Sequence, residues 1–185
     1  GELQGLVHLV PRFAKGRGLW RDSGMFHIPT REKATAEFGS KLHIAALAVL
    51  RQGPESLRVV HDGMHGVCVN NRIKVRDQMT MPGALDLEAI MEYELEAQPA
   101  TFLTLIWDFS KAHRRLAVRR QDWGFQACQP LHAKDELWLN TVGTFGIGSI
   151  SYWWNRLSAL LLRLVHYIGD PMCVRWALCF ADDCK

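Results

Sequence analysis

The alternation and spacing of apolar residues divide this chain into helices and short strands. ALDLEAIMEYELEAQ at 84–98 carries Leu87, Ile90, Met91 and Leu95 at i, i+3, i+4 and i+8, with glutamates opposite, which predicts an amphipathic helix stopped by Pro99. SYWWNRLSALLLRLVHYIG at 151–169 is apolar on most sides and ends at Gly169 and Pro171, so a second helix is expected there. Pro29 and Thr30 offer a helix start, and TREKATAEFGSKLHIAALAVLRQ reads as one helix to Gln52 or two broken at Gly39. LRVVHD at 57–62 and TFLTLIWD at 101–108 are short and β-branched, as buried strands are. RRLAVR, GFQACQ, ELWLNTV and the closing WALCFA also read as strands. Residues 1–29, rich in Gly, Arg and aromatics, show no period and read as an irregular arm with short turns. The fold class predicted is α+β, with an antiparallel sheet backed by helices.

Composition narrows the class. Apolar residues make up 48% and charged residues 22% of the 185, which indicates a packed globular chain. Net charge is only +3, but its distribution is uneven. Residues 61–100 carry three Lys/Arg against seven Asp/Glu, and residues 101–185 carry ten against seven, including the basic tract FSKAHRRLAVRR at 109–120. That tract, with Arg114, Arg115, Arg119 and Arg120, could follow a nucleic-acid backbone or form a solvated strand face. Five cysteines without CxxC spacing fit free thiols in a reducing compartment. Eight histidines without ligand spacing give no zinc signature. The apolar run 158–168 contains Arg163 and is too short to span a bilayer, and no signal peptide opens the sequence, so no membrane association is expected.

Two apolar runs end in acids: LTLIWD at Asp108 and ALCFADD at Asp182 and Asp183. Acids at strand ends can be simple turn residues. Three carboxylates gathered at one sheet edge would instead repel one another unless a hard divalent cation neutralised them.

In these segments the chain resembles the fingers and palm of a reverse transcriptase, the RNA-directed DNA polymerase of retroelements, over residues 41–185. Asp108 in DFSKAHRRL stands where that family has its first catalytic Asp, and Phe180-Ala181-Asp182-Asp183 resembles its [YF]-x-D-D hairpin. TFGIGSISYWWNRL at 144–157 is similar to its glycine segment. LRVVHDGMHGVCVNNRI at 57–73 resembles its R-x-[VI]-x-D-x-R-x-[VLI]-N segment, with a longer interval before Asn70. The four stand in the family's order.

The resemblance implies residues 1–40 as an N-terminal arm, 41–100 as fingers and 101–185 as a palm truncated at the catalytic hairpin, with the thumb absent. It implies two Mg²⁺ or Mn²⁺ ions on Asp108, Asp182, Asp183 and the Phe109 carbonyl. Arg58 would hold the triphosphate, a role suited to a planar guanidinium fork. Phe145 and Gly146 would line the nucleotide site, and Asp62 would be structural. Trp153 and Trp154 would both pack into the palm. His113 stands where the family places the Tyr or Phe that packs under the nucleotide sugar, which leaves sugar selectivity open. Thr144 and Ser151 replace prolines of the family pattern.

The implied partners are an RNA or DNA template with primer, deoxynucleoside triphosphates, and the rest of a polyprotein carrying a thumb and a ribonuclease H region. Since the family's return strand follows the acid pair, the chain is expected to be a fragment that does not extend a primer alone. The alternatives are a non-catalytic nucleic-acid-binding remnant and a two-metal nuclease. A nuclease would have no use for the glycine segment and Arg58.

Overall fold

The computed structural model describes residues 24–51, 57–78, 80–97, 105–130, 135–169, 176–181 and 183–184. Their order is β1 (Phe26–His27), α1 (Arg31–Phe38), β2 (Ile44–Ala45), β3 (Leu47–Arg51), β4 (Leu57–His61), α2 (Ala84–Ala97), β5 (Trp107–Asp108), β6 (Ala127–Cys128), β7 (Trp138–Asn140), α3 (Gly148–Ile168), β8 (Cys179–Phe180) and β9 (Asp183–Cys184). The class is α+β. The chain forms two compact units, each assembled from two stretches: described residues up to Arg72 with Ala117–Ile147, and Ile73–Leu116 with the residues from Gly148 onward. Among the described residues no helix is long and apolar enough to cross a membrane.

The first unit is built on a sheet of order β1-β7-β6-β2, in which β2 runs parallel to β6 and the other neighbours are antiparallel. The register puts Leu139, Ala127 and Ile44 on one face. Helix α1 covers that face with Ala34 and Phe38, one turn apart, and Leu137 completes the core. Burying the Phe38 ring there contributes roughly 2 kcal/mol. The helix starts at Thr30, whose hydroxyl accepts the Lys33 N–H, and stops at Gly39, whose φ of +49° is open to a residue without Cβ.

Helix therefore does not run to Gln52. After a 3-10 turn, Gly39–Lys41, the apolar stretch that follows forms β2 and β3, and β3 pairs with β4 over five residues from Leu47↔His61 to Arg51↔Leu57. Its Ala/Leu content permits helix, but pairing with the β-branched LRVVH decides for strand. Residues 52–56, between β3 and β4, lie outside those described.

Other expectations shift too. RRLAVR takes in the end of a 3-10 turn, Ala112–Arg115, and a single bridge at Ala117↔Val142, not a strand. In GFQACQ only Ala127–Cys128 is strand, after a 3-10 stretch at Arg120–Gln126. Of TFLTLIWD, residues 101–104 lie outside the described set, Leu105 and Ile106 are exposed, and regular pairing begins at Trp107. WALCFA is strand only at Cys179–Phe180.

In the second unit, α2 forms as expected but turns another face inward. Glu94 is only 7% exposed and accepts the Trp176 indole N–H at 2.6 Å, while Leu95 is 79% exposed and Leu87 and Met91 are also open. A charge-assisted hydrogen bond and the edge-on contact of Tyr93 with Trp176 orient the helix, in place of its leucine stripe. Helix α3 begins at Gly148, before the expected Ser151, and buries Ile150, Trp154 and Ser158 at i, i+4 and i+8. Asp77 accepts from the Tyr152 hydroxyl at 2.9 Å and from the Arg156 guanidinium, which lies over the Tyr152 ring.

After β4, Asp62 closes a turn by accepting the Met64 and His65 amide N–H groups at 2.9 and 3.0 Å. These donors, His65 foremost, hold its carboxyl below the usual range. A lowered folded pKa means the turn is fully supported above the unfolded value of ~3.9 and loses support as pH falls through the lower folded value. Amide shifts of Met64 and His65 are therefore expected to show a step below about pH 4, which Asp62→Asn should abolish.

Candidate active site

The three-stranded antiparallel sheet β5-β9-β8 carries the acids. Phe180 pairs with Asp183 across a two-residue turn, and Asp183 in turn pairs with Asp108, while Cys179, Cys184 and Trp107 form the next register row. Opposed positions of antiparallel strands share a sheet face. Positions 108, 183 and 180 thus lie on one face and 107, 184 and 179 on the other. Asp108 and Phe180 are exposed, whereas Cys179 is buried and Trp107 half-buried, so the row with the two acids is on the open side. Asp182 lies outside the described residues.

The turn itself is held from behind. Ala181 has φ +57°, the left-handed conformation that the first central residue of a tight primed hairpin needs and that costs a Cβ-bearing residue about 1–2 kcal/mol. Its carbonyl accepts the indole N–H of Trp154 from α3 at 2.7 Å. Trp154 is 1% exposed, and the Phe109 ring meets it edge-on at 5.3 Å. One side chain therefore contacts both acid-bearing segments. Trp153 does not join it: it is 58% exposed and touches Tyr152.

His113 is buried against the same helix, its Nε2 sharing a 3.3 Å hydrogen bond with Ser151 Oγ and its ring 6.5 Å from that of Trp154. The Phe109 carbonyl accepts the Ala112 N–H at 3.1 Å, which opens the 3-10 turn bearing His113. A carbonyl oxygen has a second lone pair, so this bond leaves it able to act as a ligand.

Arg58, Phe145 and Gly146 belong to the first unit. Arg58 sits in β4 opposite Leu50. Phe145 is half-buried in the turn before α3. Gly146 has φ +96°, and a Cβ there would lie 1.7 Å from the His61 carbonyl oxygen. Its carbonyl accepts the Asn70 side-chain N–H at 2.7 Å, and a Cβ on Gly63 would stand 2.7 Å from that same oxygen. The close approach this glycine allows is thus to the protein's own backbone at the end of β4.

Reading the sequence missed the anchoring bond of Trp154, the Ser151 partner of His113 and the Asn70–Gly146 link. The only signal for the first was the i, i+4, i+8 row of Ile150, Trp154 and Ser158. Among the described residues no three His, Cys, Asp or Glu side chains cluster as metal ligands, a set that includes neither Asp182 nor the Asp183 side chain. No protein-family model matches the chain, and no curated protein matches it.

Trp154→Phe keeps a buried aromatic ring but removes the N–H and leaves a cavity in place of the second ring. It is expected to cost about 2–4 kcal/mol in urea unfolding, with far-UV circular dichroism unchanged. Gly146→Ala must displace backbone as well as adopt a positive φ, and is expected to cost about 3 kcal/mol or more by thermal unfolding.

Proposed function

We propose that this chain is the fingers and palm portion of a retroelement RNA-directed DNA polymerase, which adds deoxynucleotides to a primer on an RNA or DNA template by nucleotidyl transfer. The observation that supports this reading best is the pairing of β5 with β9, which sets Asp108 opposite Asp183 on an open sheet face although the two are far apart in sequence. A polymerase palm needs this arrangement of acids. A pair of unrelated surface turns does not need it.

The donor set suits the cofactor. Aspartates at the opposed backbone positions 108 and 183, with Asp182 adjacent in sequence and the Phe109 carbonyl next to Asp108, would offer hard oxygen ligands of the kind Mg²⁺ or Mn²⁺ takes. The chemistry such ions supply is activation of a primer hydroxyl and stabilisation of the leaving pyrophosphate. In this reading Asp108, Asp182 and Asp183 are the metal-holding residues. Trp154 fixes the hairpin that bears two of them. His113 is buried and shares a hydrogen bond with Ser151.

Mn²⁺ titration followed by electron paramagnetic resonance tests the reading. Asp108→Asn and Asp183→Asn are each expected to weaken Mn²⁺ at least about tenfold and to abolish template-directed incorporation wherever the parent protein shows it. Unchanged Mn²⁺ affinity in both variants would overturn the polymerase assignment and favour a non-catalytic nucleic-acid-binding protein.

A further inference from the structure

The first unit has an open cleft of about 830 Å³ between the end of α1 and the start of the 3-10 stretch at Arg120–Gln126. One wall is Ala36 to Lys41, the other Arg119 to Gln121. Lys41 closes the 3-10 turn after α1, and Arg119 stands in extended backbone just before the opposite stretch, so cations approach from both sides. The walls are held closely together beneath: a Cβ on Gly124 would lie 2.7 Å from the Lys41 carbonyl, and the His43 N–H donates to the Gly124 carbonyl at 2.9 Å.

Three cations face one acid. Arg120 Nε donates to Glu37 Oε1 at 2.8 Å, and its guanidinium lies 5.8 Å from the centre of the Trp123 ring, so it is held in place across the cleft. No ion pair engages Lys41 or Arg119 among the described residues. The one aromatic residue in the lining, Phe38, is buried in the core beneath. A base entering here would find no ring to stack on, whereas phosphates would meet Lys41 and Arg119, with the Ser40 hydroxyl and Gln121 amide able to bond sugar oxygens.

We propose that this cleft binds the sugar-phosphate backbone of a single nucleic-acid strand, gripping adjacent phosphates with Lys41 and Arg119 without reading bases. The choice of a nucleic-acid strand as the polyanion rests on the polymerase reading. The cleft and its charge do not. Its two walls are short, residues 36–41 and 119–121, and suit a short run of one strand rather than the cylinder of a duplex. Glu37 occupies Arg120 and sets an upper limit on the attraction.

Fluorescence anisotropy of labelled oligodeoxythymidine with the full 185-residue chain, over a KCl series, tests this. Lys41→Gln with Arg119→Gln is expected to weaken binding about tenfold and to flatten the slope of log affinity against log salt by about 1.4, two phosphate contacts on a single strand. Glu37→Gln is expected to act oppositely, tightening binding roughly threefold, which an unfolded variant could not do. Oligodeoxyadenosine should bind as oligodeoxythymidine does. Unchanged affinity and slope in both variants, a strong base preference, or equal loss of duplex binding would each overturn the proposal. Mn²⁺ affinity of the cleft variants should equal that of the parent chain. Loss of Mn²⁺ binding in Asp108→Asn with oligonucleotide affinity intact supports both readings. Intact Mn²⁺ binding in both Asp108→Asn and Asp183→Asn overturns the polymerase reading and leaves the cleft standing.

Discussion

A single indole N–H links helix α3 to the hairpin that carries the terminal acids. Trp154 donates to the carbonyl of Ala181, whose backbone is left-handed, and its ring meets Phe109, the residue after Asp108. Without that bond a two-residue turn built on alanine would compete with looser alternatives, because alanine has no intrinsic preference for positive φ. With it, β8 and β9 are held in one register, and β9 can present position 183 to Asp108. The arrangement of acids thus depends on a buried, uncharged contact. The remote support is what permits charged groups to occupy an open sheet face, since the face behind them is packed.

The first unit uses glycine in a related way. Gly63 and Gly146 allow the loop after β4 and the loop before α3 to lie backbone against backbone, with Asn70 bridging them. A glycine in a resemblance to a nucleotide-binding segment invites a ligand explanation. Here the atom that excludes a side chain is the His61 carbonyl, and that is sufficient reason for the residue. Packing and ligand approach are not exclusive, but only the first is required by the geometry on this side of the loop.

Much of the architecture could be read from the letters, and the failures have physical causes. Helices α2 and α3 and strand β4 follow from period and branching, and the hairpin at 179–184 was expected only through the resemblance of Phe180-Ala181-Asp182-Asp183 to a [YF]-x-D-D segment. LHIAALAVL was ambiguous because alanine and leucine suit a helix, while the partner that makes it a strand, LRVVH, lies beyond a turn. The inward face of α2 was misjudged because Glu94 looked like a solvent residue, and only a distant Trp176 gives it reason to be buried. For the site, the candidate acids were visible one by one. The register that opposes Asp108 to Asp183 was not, since no local pattern encodes which residue of a late strand meets an early one. His113 was identified by position alone, and its Ser151 partner belongs to a helix whose start was placed three residues late.

The interleaving of the two units bears on how the protein is made. β1 pairs with β7, Phe26 opposite Asn140, and residues 73–116 between them belong to the other unit. A ribosome therefore releases the early strands well before the partners that complete their sheet, and the nascent chain must carry exposed edges while an entire foreign segment is synthesised. Pairings of such sequence separation are slow to find. Early synthesis is the interval in which this polypeptide has most need of chaperone protection.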